Sequence, residues 1–445
     1  MIFTTDFKTE NYALLASWDD FPEDVKEHAV MCAIDIVGAL ILGCRGKQFR
    51  VGTEITKKYG LSGDIHVIGS DDAFNLLGAT IAMGHASNSF DIDDGHRLIQ
   101  GHPGTSFIAG VMAAAYQKNI TIRELLETLV VCYELTIRWA LVMQREYNFL
   151  HSTGTYGAFG TAVGVGKILG LSKEQLNNAL SIADYHAPLT PVMRAVEYPS
   201  MNKDGVPFGA LTGVMAVIET LCGSTGKTHL LEMPKYRDYL DSLGKKYHIL
   251  DLYFKPYTCC RWAHQPIRAI IDLKNDCRFS WRDVKSVKVN TFKSASLLSK
   301  KKPEDSEEAQ YNIAFPVACA LVHGDVGFLQ IREEAVHDAD VLEAMDLLHF
   351  EVCDEYETQF PQKRLASVEI ELKDGILLKS RTYEAPGEPD DPELNLDWII
   401  RKFIRVTSPI LNLEGQQWVI DTFTKHHDIN VVDFVQNLNC YLKAN

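Results

Sequence analysis

Apolar and polar residues follow each other along the first half of the chain with the period of α-helices. Between Pro22 and Gly43 the apolar side chains recur every three or four residues, which predicts an amphipathic helix that ends at a glycine. These apolar positions are Val25, Ala29, Cys32, Ile36 and Leu40. Residues 73–89 carry Ala, Gly and Ser on all sides, which suits a helix enclosed by other helices. The first half is therefore predicted to be an assembly of closely packed helices.

Two capping boxes and a glycine-rich segment extend this pattern. Thr121 with Glu124, and Ser172 with Gln175, have the spacing that starts a helix, because each side chain can satisfy a free backbone N–H of the other residue. Residues 152–170 have a glycine every few positions, which predicts a helix with one flat face for a neighbour. More helices are therefore expected up to residue 265.

The period changes from about 3.6 to two in the next part of the chain. Residues 284–291 and 368–372 alternate apolar and polar side chains, as half-buried strands do. Asp374 and Gly375 then lead into a second apolar run, which predicts a β-hairpin. A helical run at 309–323 is predicted between these strands. After the segment EAPGEPDDPE the helical period returns, at 396–406 and 419–442.

The predicted fold is mainly α, with two domains. Residues 1–265 and 391–445, from both ends of the chain, are assigned to a large all-helical domain, because we expect the last helices to return to the first ones. Residues 266–390 are assigned to a smaller α+β domain.

Composition and charge limit the classes of partner. The 445-residue chain has 44 Lys and Arg residues against 59 Asp and Glu residues, a formal charge of −15, so no nucleic-acid partner is expected. No uninterrupted apolar run reaches the roughly 20 residues of a membrane span, and the N-terminus lacks a signal-peptide pattern. Ten cysteines without CxxC spacing favour reduced thiols, and no glycine-rich segment has the spacing of a phosphate loop. We expect a soluble cytoplasmic protein with no membrane partner and no cofactor.

The segment GHASNSFDIDDGHRLIQGHPG concentrates groups that can do chemistry. Its aspartates and histidines are Asp91, Asp93, Asp94, His96 and His102. A calcium loop is disfavoured, because glycine stands at its fifth position and His102 where a bidentate Glu is needed. The DxDD acid of terpene cyclases is disfavoured too, because no large aromatic-lined pocket is indicated. A weak metal site and a structural role in helix caps and ion pairs stay open.

Within this segment, His102 is the residue that most favours a functional role. It precedes Pro103 and Gly104, which open an Ala-rich helix, so the imidazole would lie at a helix N-terminus. An anion is favoured there, and the imidazole is expected to be neutral.

Cationic residues recur in two later segments. Lys203 lies on an irregular stretch just before a helix, and FKPYTCCRWAHQP places Lys255 and Arg261 at the border between the two predicted domains. Cations at such a border fit a cleft that binds carboxylates, although a solvated basic loop is the alternative for each segment. A thiol nucleophile at Cys260 is disfavoured, because no His or Asn partner is defined.

Taken together, these motifs resemble the MmgE/PrpD family. The aspartate-rich segment is followed, in the order of that family, by HSTGTYGAFGTAVGVGKILGLS, FKPYTCCRWAHQPI and AQYNIAFPVACALVHGDV, so the resemblance covers most of the chain. It implies a helical domain built from both chain ends, a smaller α+β lid, a homodimer, and no need for a metal. By matching position, the resemblance implies an active cleft lined by Asp91, His102, His151, Lys203 and Lys255.

Several positions differ from the family pattern. Gly95 stands where relatives tend to have Thr, Cys260 where the decarboxylases have His, and Phe315 where they have Tyr. The turn is also about one residue longer, at His96 and Arg97. These differences remove proton donors and leave the reaction open.

The family includes 2-methylcitrate dehydratases, cis-aconitate decarboxylases and an iminodisuccinate epimerase. These reactions share a carbanion made or stabilised beside a carboxylate, which needs a base, cations and an acid. The resemblance therefore implies a metal-independent lyase acting on a small di- or tricarboxylate, with dehydration of a 2-methylcitrate-like substrate preferred. An epimerase, a cis-aconitate-type decarboxylase and a non-catalytic polycarboxylate-binding protein are the alternatives.

The predicted roles follow from this chemistry. His102 is the general acid or base, oriented by Asp91. Lys203, Lys255 and Arg261 bind substrate carboxylates, and Lys203 is also a candidate proton carrier. Secondary substrate contacts are predicted from His96, Arg97, Tyr147 and His151.

Overall fold

The structure, a computed structural model, describes residues 7–443 and is mainly helical within them. The helices are α1 (Lys8–Leu15), α2 (Glu23–Gly43), α3 (Lys47–Lys58), α4 (Leu76–Ser87), α5 (Pro103–Lys118), α6 (Ile122–Tyr147), α7 (Thr153–Leu169), α8 (Lys173–His186), α9 (Met193–Glu197), α10 (Val206–Leu221), α11 (His264–Cys277), α12 (Lys293–Ser296), α13 (Ser306–Gln310), α14 (Ala314–His323), α15 (Phe328–Ile331), α16 (Ala339–Ala344), α17 (Asp354–Glu357), α18 (Leu396–Thr407), α19 (Leu413–Thr424) and α20 (Val431–Cys440). The strands are β1 (Ser62–His66), β2 (Ala73–Phe74), β3 (Gly95–His96), β4 (Leu252–Tyr253), β5 (Val284–Thr291), β6 (Leu348–Val352), β7 (Leu365–Leu372), β8 (Leu377–Lys379) and β9 (Tyr383–Glu384).

Helices α4, α5, α7 and α10 form a close-packed group in the first half of the chain. Glycine allows the closest approach, between α7 and α10: a Cβ on Gly209 would lie 2.1 Å from the carbonyl oxygen of Gly154. The capping boxes that start α6 and α8 are both formed, as the sequence predicted. This group supplies a rigid base for the turn between α4 and α5.

The largest sheet has the order β6-β5-β7-β8, with β9 also paired to β7. Strands β5 and β6 are parallel, and the remaining pairs are antiparallel. The predicted hairpin at Asp374 and Gly375 is confirmed, and it joins β7 to β8. Helices α11 and α14 pack together, and α11 also covers β7.

The last helices pack against early ones. Helices α18 and α19 contact α2, and α20 contacts α5. The contact between α18 and α2 includes a buried ion pair between the Lys402 ammonium and the Asp35 carboxylate. The predicted helical stretch 419–442 is divided between α19 and α20, because Asn430 forms a backbone bridge with Thr121 where the chain turns.

Other predictions need correction. The region expected to be all-helical contains two antiparallel strand pairs, β1 with β2 and β3 with β4, so it is mainly helical instead. The helical run predicted at 309–323 is broken before Ala314, because the Asn312 side chain accepts a hydrogen bond from the backbone N–H of Phe315 (2.9 Å) and starts a new helix.

Among the described residues, no helix has by itself the length and apolar character needed to cross a membrane. Taken as a pair, α2 and α3 would meet the length and composition test, but their axes bend by 77°. All ten cysteines are free thiols.

Candidate active site

The turn between α4 and α5 carries three carboxylates that are almost completely buried. Asp91, Asp93 and Asp94 have exposed fractions of 2%, 0% and 0%. Asp91 has a φ of +50°, in the left-handed region that non-glycine residues seldom adopt. Such strained backbone tends to occur at functional sites, where the surroundings hold it in place.

His102, the residue before α5, lies at the centre of this turn. Its Nδ1 is 3.2 Å from Asp93 Oδ2 and hydrogen bonds to the Asp94 carbonyl (2.8 Å), while its Nε2 is 3.6 Å from Asp91 Oδ1. Asp204 adds a further carboxylate, with Oδ2 at 3.8 Å from Nε2. The backbone N–H of His102 donates to the Tyr156 hydroxyl (2.8 Å).

These carboxylates decide the charge of His102. Burial and the Lys255 ammonium act to lower the pKa of His102, but Asp93 and Asp91 outweigh them and raise it to about 9. The expectation of a neutral imidazole at the helix N-terminus is therefore wrong, because nearby carboxylates dominate over the helix dipole. Against its burial, the pKa of Asp93 is lowered to about 2 by His102 and Lys255.

Lys255 contacts the cluster at the Asp91 carboxylate. Its Nζ lies 2.7 Å from Asp91 Oδ1, and its side chain is only 1% exposed. Burial alone would lower the pKa of Lys255, but Asp91 and Asp93 raise it above its ordinary value. Asp91 thus lies between two cations, Lys255 and the His102 imidazolium.

Lys203 approaches the same turn from the segment before α10. Its Nζ donates to the carbonyl oxygens of Asn88 (2.8 Å) and Ser89 (3.0 Å) and to Gln310 Oε1 (2.6 Å). Its φ is +40°, so it too has a left-handed backbone. Burial lowers the pKa of Lys203 in spite of Asp91, and burial raises the pKa of the adjacent Asp204.

Arg97 and Arg261 meet at one carboxylate, that of Glu388. Arg97 Nε lies 2.5 Å from Glu388 Oε2, and Arg261 Nε lies 3.0 Å from Glu388 Oε1. Arg97 also donates to Glu384 (2.8 Å), and the Arg261 guanidinium stacks 3.9 Å from the centre of the Tyr253 ring. Both predicted substrate-binding arginines are therefore engaged within the protein.

Three predicted site residues lie apart from the His102 cluster. The His151 ring packs against Phe149 (4.0 Å between ring centres) and Tyr147 (5.8 Å), and Tyr147 itself is 44% exposed. The His96 ring lies beside His248, 5.9 Å between ring centres. Burial and His248 lower the pKa of His96 to about 4, so it is neutral at physiological pH.

Two buried side chains near the cluster were missed by the sequence analysis. Tyr311 is 5% exposed, its ring centre is 5.8 Å from Lys203 Nζ, and burial together with Asp204 and Asp91 raises the pKa of its phenol. No hydrogen-bond partner for its hydroxyl occurs within residues 7–443. The available signal was a tyrosine four residues before Phe315, the position where the resemblance implies a tyrosine.

Arg364 is the other side chain that was missed. It is 7% exposed, and its Nε and Nη1 have no hydrogen-bond partner within the described part of the chain. Its nearest carboxylate is Glu388, at 4.0 Å, and burial lowers its pKa. An unpaired buried guanidinium is costly, and a bound carboxylate would relieve that cost.

The glycine at position 95, one of the differences from the family pattern, is required by a close contact with Tyr253. A Cβ at this position would lie 2.2 Å from Tyr253 Cζ and 2.3 Å from its hydroxyl oxygen. The phenol of Tyr253 thus fills the space where relatives tend to have a threonine side chain, and β3 and β4 bring the two residues opposite each other.

A metal could be considered at Asp91, Asp93 and His102, whose ligand atoms lie within 4.8 Å of one another. The Lys255 ammonium already contacts Asp91 at 2.7 Å and would repel a second cation. The donor set is thus better suited to proton transfer between internal charges than to metal binding.

Comparison with known proteins supports the resemblance seen in the sequence. Residues 9–246 match the model of the MmgE/PrpD N-terminal domain, and residues 257–425 match that of the MmgE/PrpD C-terminal domain. The chain belongs to the MmgE/PrpD family. It is 22% identical over 469 residues to cis-aconitate decarboxylase from Aspergillus terreus (strain NIH 2624 / FGSC A1156), covering 96% of this chain and 94% of that protein. It is also 22% identical over 442 residues to the cis-aconitate decarboxylase-like protein oryM from Aspergillus oryzae (strain ATCC 42149 / RIB 40), covering 89% of each. The relatives are enzymes of the lyase type, and the MmgE/PrpD fold extends over nearly the whole chain.

A cavity of about 570 Å³ reaches the cluster from one side. Lys203, Ser152, Gly205 and Phe208 are among the residues that line it. Lys203 is thus the residue that connects the wall of this cavity with the cluster.

Proposed function

We propose that this MmgE/PrpD protein is a lyase that dehydrates a small tricarboxylate similar to 2-methylcitrate, by proton transfer beside a carboxylate. One observation carries the proposal: the imidazole of His102 is held among the carboxylates of Asp91, Asp93 and Asp204, with Lys255 and Lys203 nearby. Acid, base and cations therefore lie within one buried cluster, which is what elimination next to a carboxylate needs.

His102 and Asp204 divide the proton transfer between them in this proposal. The raised pKa of His102 makes it the acid that protonates the leaving hydroxyl group. The raised pKa of Asp204 makes its carboxylate the stronger base, suited to removing the proton from the carbon. The two groups lie 3.8 Å apart, so both can reach the same substrate. Lys203, next in the chain, carries protons between the cavity and this pair.

Cations around the cluster bind the substrate carboxylates. Lys255 and Lys203 neutralise the charge that develops on the carboxylate next to the carbanion. Arg364 supplies a guanidinium with unsatisfied N–H groups, whereas Arg261 and Arg97 are held by Glu388 at the edge of this set of cations. His96, His151 and Tyr147 are proposed to make secondary contacts with the substrate, within one subunit or from the partner subunit.

We also propose a homodimer. Phe149, Tyr185, Tyr198 and Phe208 are 36%, 86%, 75% and 64% exposed, and all lie close in sequence to His151 or to the cavity that Lys203 lines. Exposed aromatic side chains in this number are typical of a protein interface, and a second copy of the chain is the occupant proposed here. The division into a helical domain (1–265 with 391–445) and an α+β lid (266–390) is proposed for each subunit.

Decarboxylation of a cis-aconitate-like substrate is the second candidate. The similar protein from Aspergillus terreus bears that name, the one from Aspergillus oryzae is named as decarboxylase-like, and both match over most of their length. Such a reaction needs an acid to protonate carbon, which His102 supplies, and no base. Dehydration is preferred because Asp204 places a base beside the acid, and because Cys260 and Phe315 stand where the decarboxylases have His and Tyr.

The reaction is tested by nuclear magnetic resonance in D2O with a panel of di- and tricarboxylates. A new alkene with loss of the hydroxyl group supports dehydration, whereas loss of CO2 indicates the decarboxylase. Exchange with scrambled stereochemistry indicates an epimerase, and tight binding without deuteration indicates a binding protein.

His102→Gln tests the residue that carries the proposal. We expect kcat to fall by about 10²- to 10⁴-fold, because general acid catalysis is worth that much. His323→Gln is the matched control, since His323 pairs with Asp338 at the surface (3.0 Å), far from this cluster in the fold. Near-normal turnover by His102→Gln on the identified substrate would show that the assignment is wrong.

A further inference from the structure

His96, His248 and Asp251 form a second cluster of metal-binding groups, separate from the His102 cluster. One ligand atom from each lies within 4.8 Å of the others, and His248 Nδ1 is 3.3 Å from Asp251 Oδ2. Two ligands of one tetrahedral zinc ion lie about 3.3 Å apart, since each is about 2.0–2.1 Å from the metal. The His248 and Asp251 atoms already have that separation.

The His96 side chain lacks any other partner. It is 1% exposed, and neither of its ring nitrogens has a hydrogen-bond partner within residues 7–443. A buried imidazole with two unsatisfied nitrogens is costly, because the polar groups have lost water without gaining another contact. A metal ion bound to one nitrogen would remove this cost.

We propose that His96, His248 and Asp251 bind one divalent transition-metal ion of the Zn²⁺ class. Two imidazoles and one carboxylate are a common ligand set for such ions, and they leave one or more positions to water. The Asp251 side chain is 48% exposed, which gives the ion a path from solvent. Lys246 is the nearby cation, but it is exposed to solvent, so its repulsion is screened.

The ion would connect the two segments that carry the proposed catalytic groups. His96 lies in β3, next to the turn that ends at His102, and its backbone N–H bonds to the Gly101 carbonyl (2.9 Å). His248 and Asp251 immediately precede β4, and Lys255 follows it. The metal thus fastens the β3 and β4 pair outside the reacting cluster.

Another buried group, Glu10 with His229 and Glu232, is less suited to a metal. Part of it is already engaged, because His229 Nε2 lies 3.0 Å from Glu10 Oε1 and Glu232 Oε1 accepts the backbone N–H of Thr9 (2.8 Å). It has no exposed member through which an ion could enter.

Isothermal titration of the chelator-treated full-length protein with Zn²⁺ tests the proposal, and Co²⁺ absorption in the visible range reports the ligand geometry. We expect one equivalent to bind to the wild type and to raise the Tm. His248→Asn and Asp251→Asn should each weaken binding by at least about 100-fold, since even residues that only orient a ligand are worth about 10–100-fold.

His323→Asn is the matched control, because it removes a histidine from a surface pair with Asp338 and should leave Zn²⁺ binding unchanged. Circular dichroism and the metal-free Tm verify that each variant folds. Absence of a stoichiometric site, or Zn²⁺ binding that survives both His248→Asn and Asp251→Asn, would overturn the proposal. Because metal binding is measured without substrate, the result is independent of the reaction proposed for His102.

Discussion

Replacing Lys402 by methionine removes one partner of the most deeply buried ion pair between α18 and α2. Lys402 is 6% exposed and Asp35 is 3% exposed, and the ammonium also donates to the Ile92 carbonyl (2.7 Å), inside the aspartate-rich turn. Methionine has a similar length and a good helix propensity, so the packing of α18 should persist. The change isolates the loss of charge and of two hydrogen bonds.

The pH dependence gives the expected size of the effect. Burial raises the pKa of Asp35 from 3.8 to about 6, and Lys402 opposes a larger rise. When the pKa of a carboxyl is higher in the folded protein than in the unfolded chain, the free energy of unfolding falls as pH rises from the lower pKa to the higher one. In the wild type this loss ends near pH 6. In Lys402→Met the folded pKa is higher, so the loss continues at about 1.4 kcal/mol per pH unit.

The free energy of unfolding of the two proteins should therefore diverge by about 2 kcal/mol between pH 6 and pH 7.5. At neutral pH the total loss should be about 3–5 kcal/mol, as for other buried pairs that lose one partner. Urea unfolding followed by tryptophan fluorescence, at several pH values, measures both quantities. The double variant Asp35→Asn with Lys402→Met is the control, because neither of these two positions then carries a charge, so no divergence is expected. A constant gap between Lys402→Met and the wild type would refute the reasoning.

Three further predictions concern the cluster itself. Because the pKa of His102 rises from 6.5 in the unfolded chain to about 9 in the folded protein, His102 should contribute about 3 kcal/mol to stability below pH 6.5 and lose this contribution as pH rises through 9. In urea unfolding, His102→Gln should lack this decline, and an unchanged decline would contradict the prediction. Tyr311→Phe should lower kcat by about 100-fold with little change in KM, because it removes a hydroxyl placed to transfer a proton. Tyr59→Phe, which changes an exposed tyrosine, should have no effect in the same steady-state assay. Arg364→Met should raise KM by about tenfold or more with kcat nearly unchanged, since it removes a charged hydrogen bond to the substrate. Arg401→Met, at an exposed arginine, is the control, and a fall in kcat alone would assign Arg364 a different role.

The sequence predicted those parts of the fold that depend on local patterns. Apolar spacing and Gly43 predicted α2, and two capping boxes predicted the starts of α6 and α8, because these signals involve residues within one or two turns. The pairing of β3 with β4 was missed, since two strands of two residues each are too short to show alternation. The break before α14 was missed because Asn312 lies within an otherwise apolar run.

For the site, the sequence indicated the correct segments but not every partner. Asp91, His102, Lys203 and Lys255 do lie together, and each could be named because it stands in a conspicuous motif. The charge of His102 could not be predicted, since it depends on how closely the folded turn brings Asp93 and Asp91 to the imidazole.

The arginines illustrate the same limit. The pairing of Arg97 and Arg261 with Glu388 joins segments that are more than a hundred residues apart. Local patterns carry no information about such contacts. The sequence could therefore propose the two arginines as cations but could not show that one carboxylate occupies both.

The contact between Gly95 and Tyr253 couples the side chains that these two positions can hold. A side chain at 95 and a phenol at 253 compete for the same volume, since the Cβ would lie 2.2 Å from the ring. Gly95→Thr alone should therefore disturb the turn, whereas its combination with a small residue at 253 should restore it.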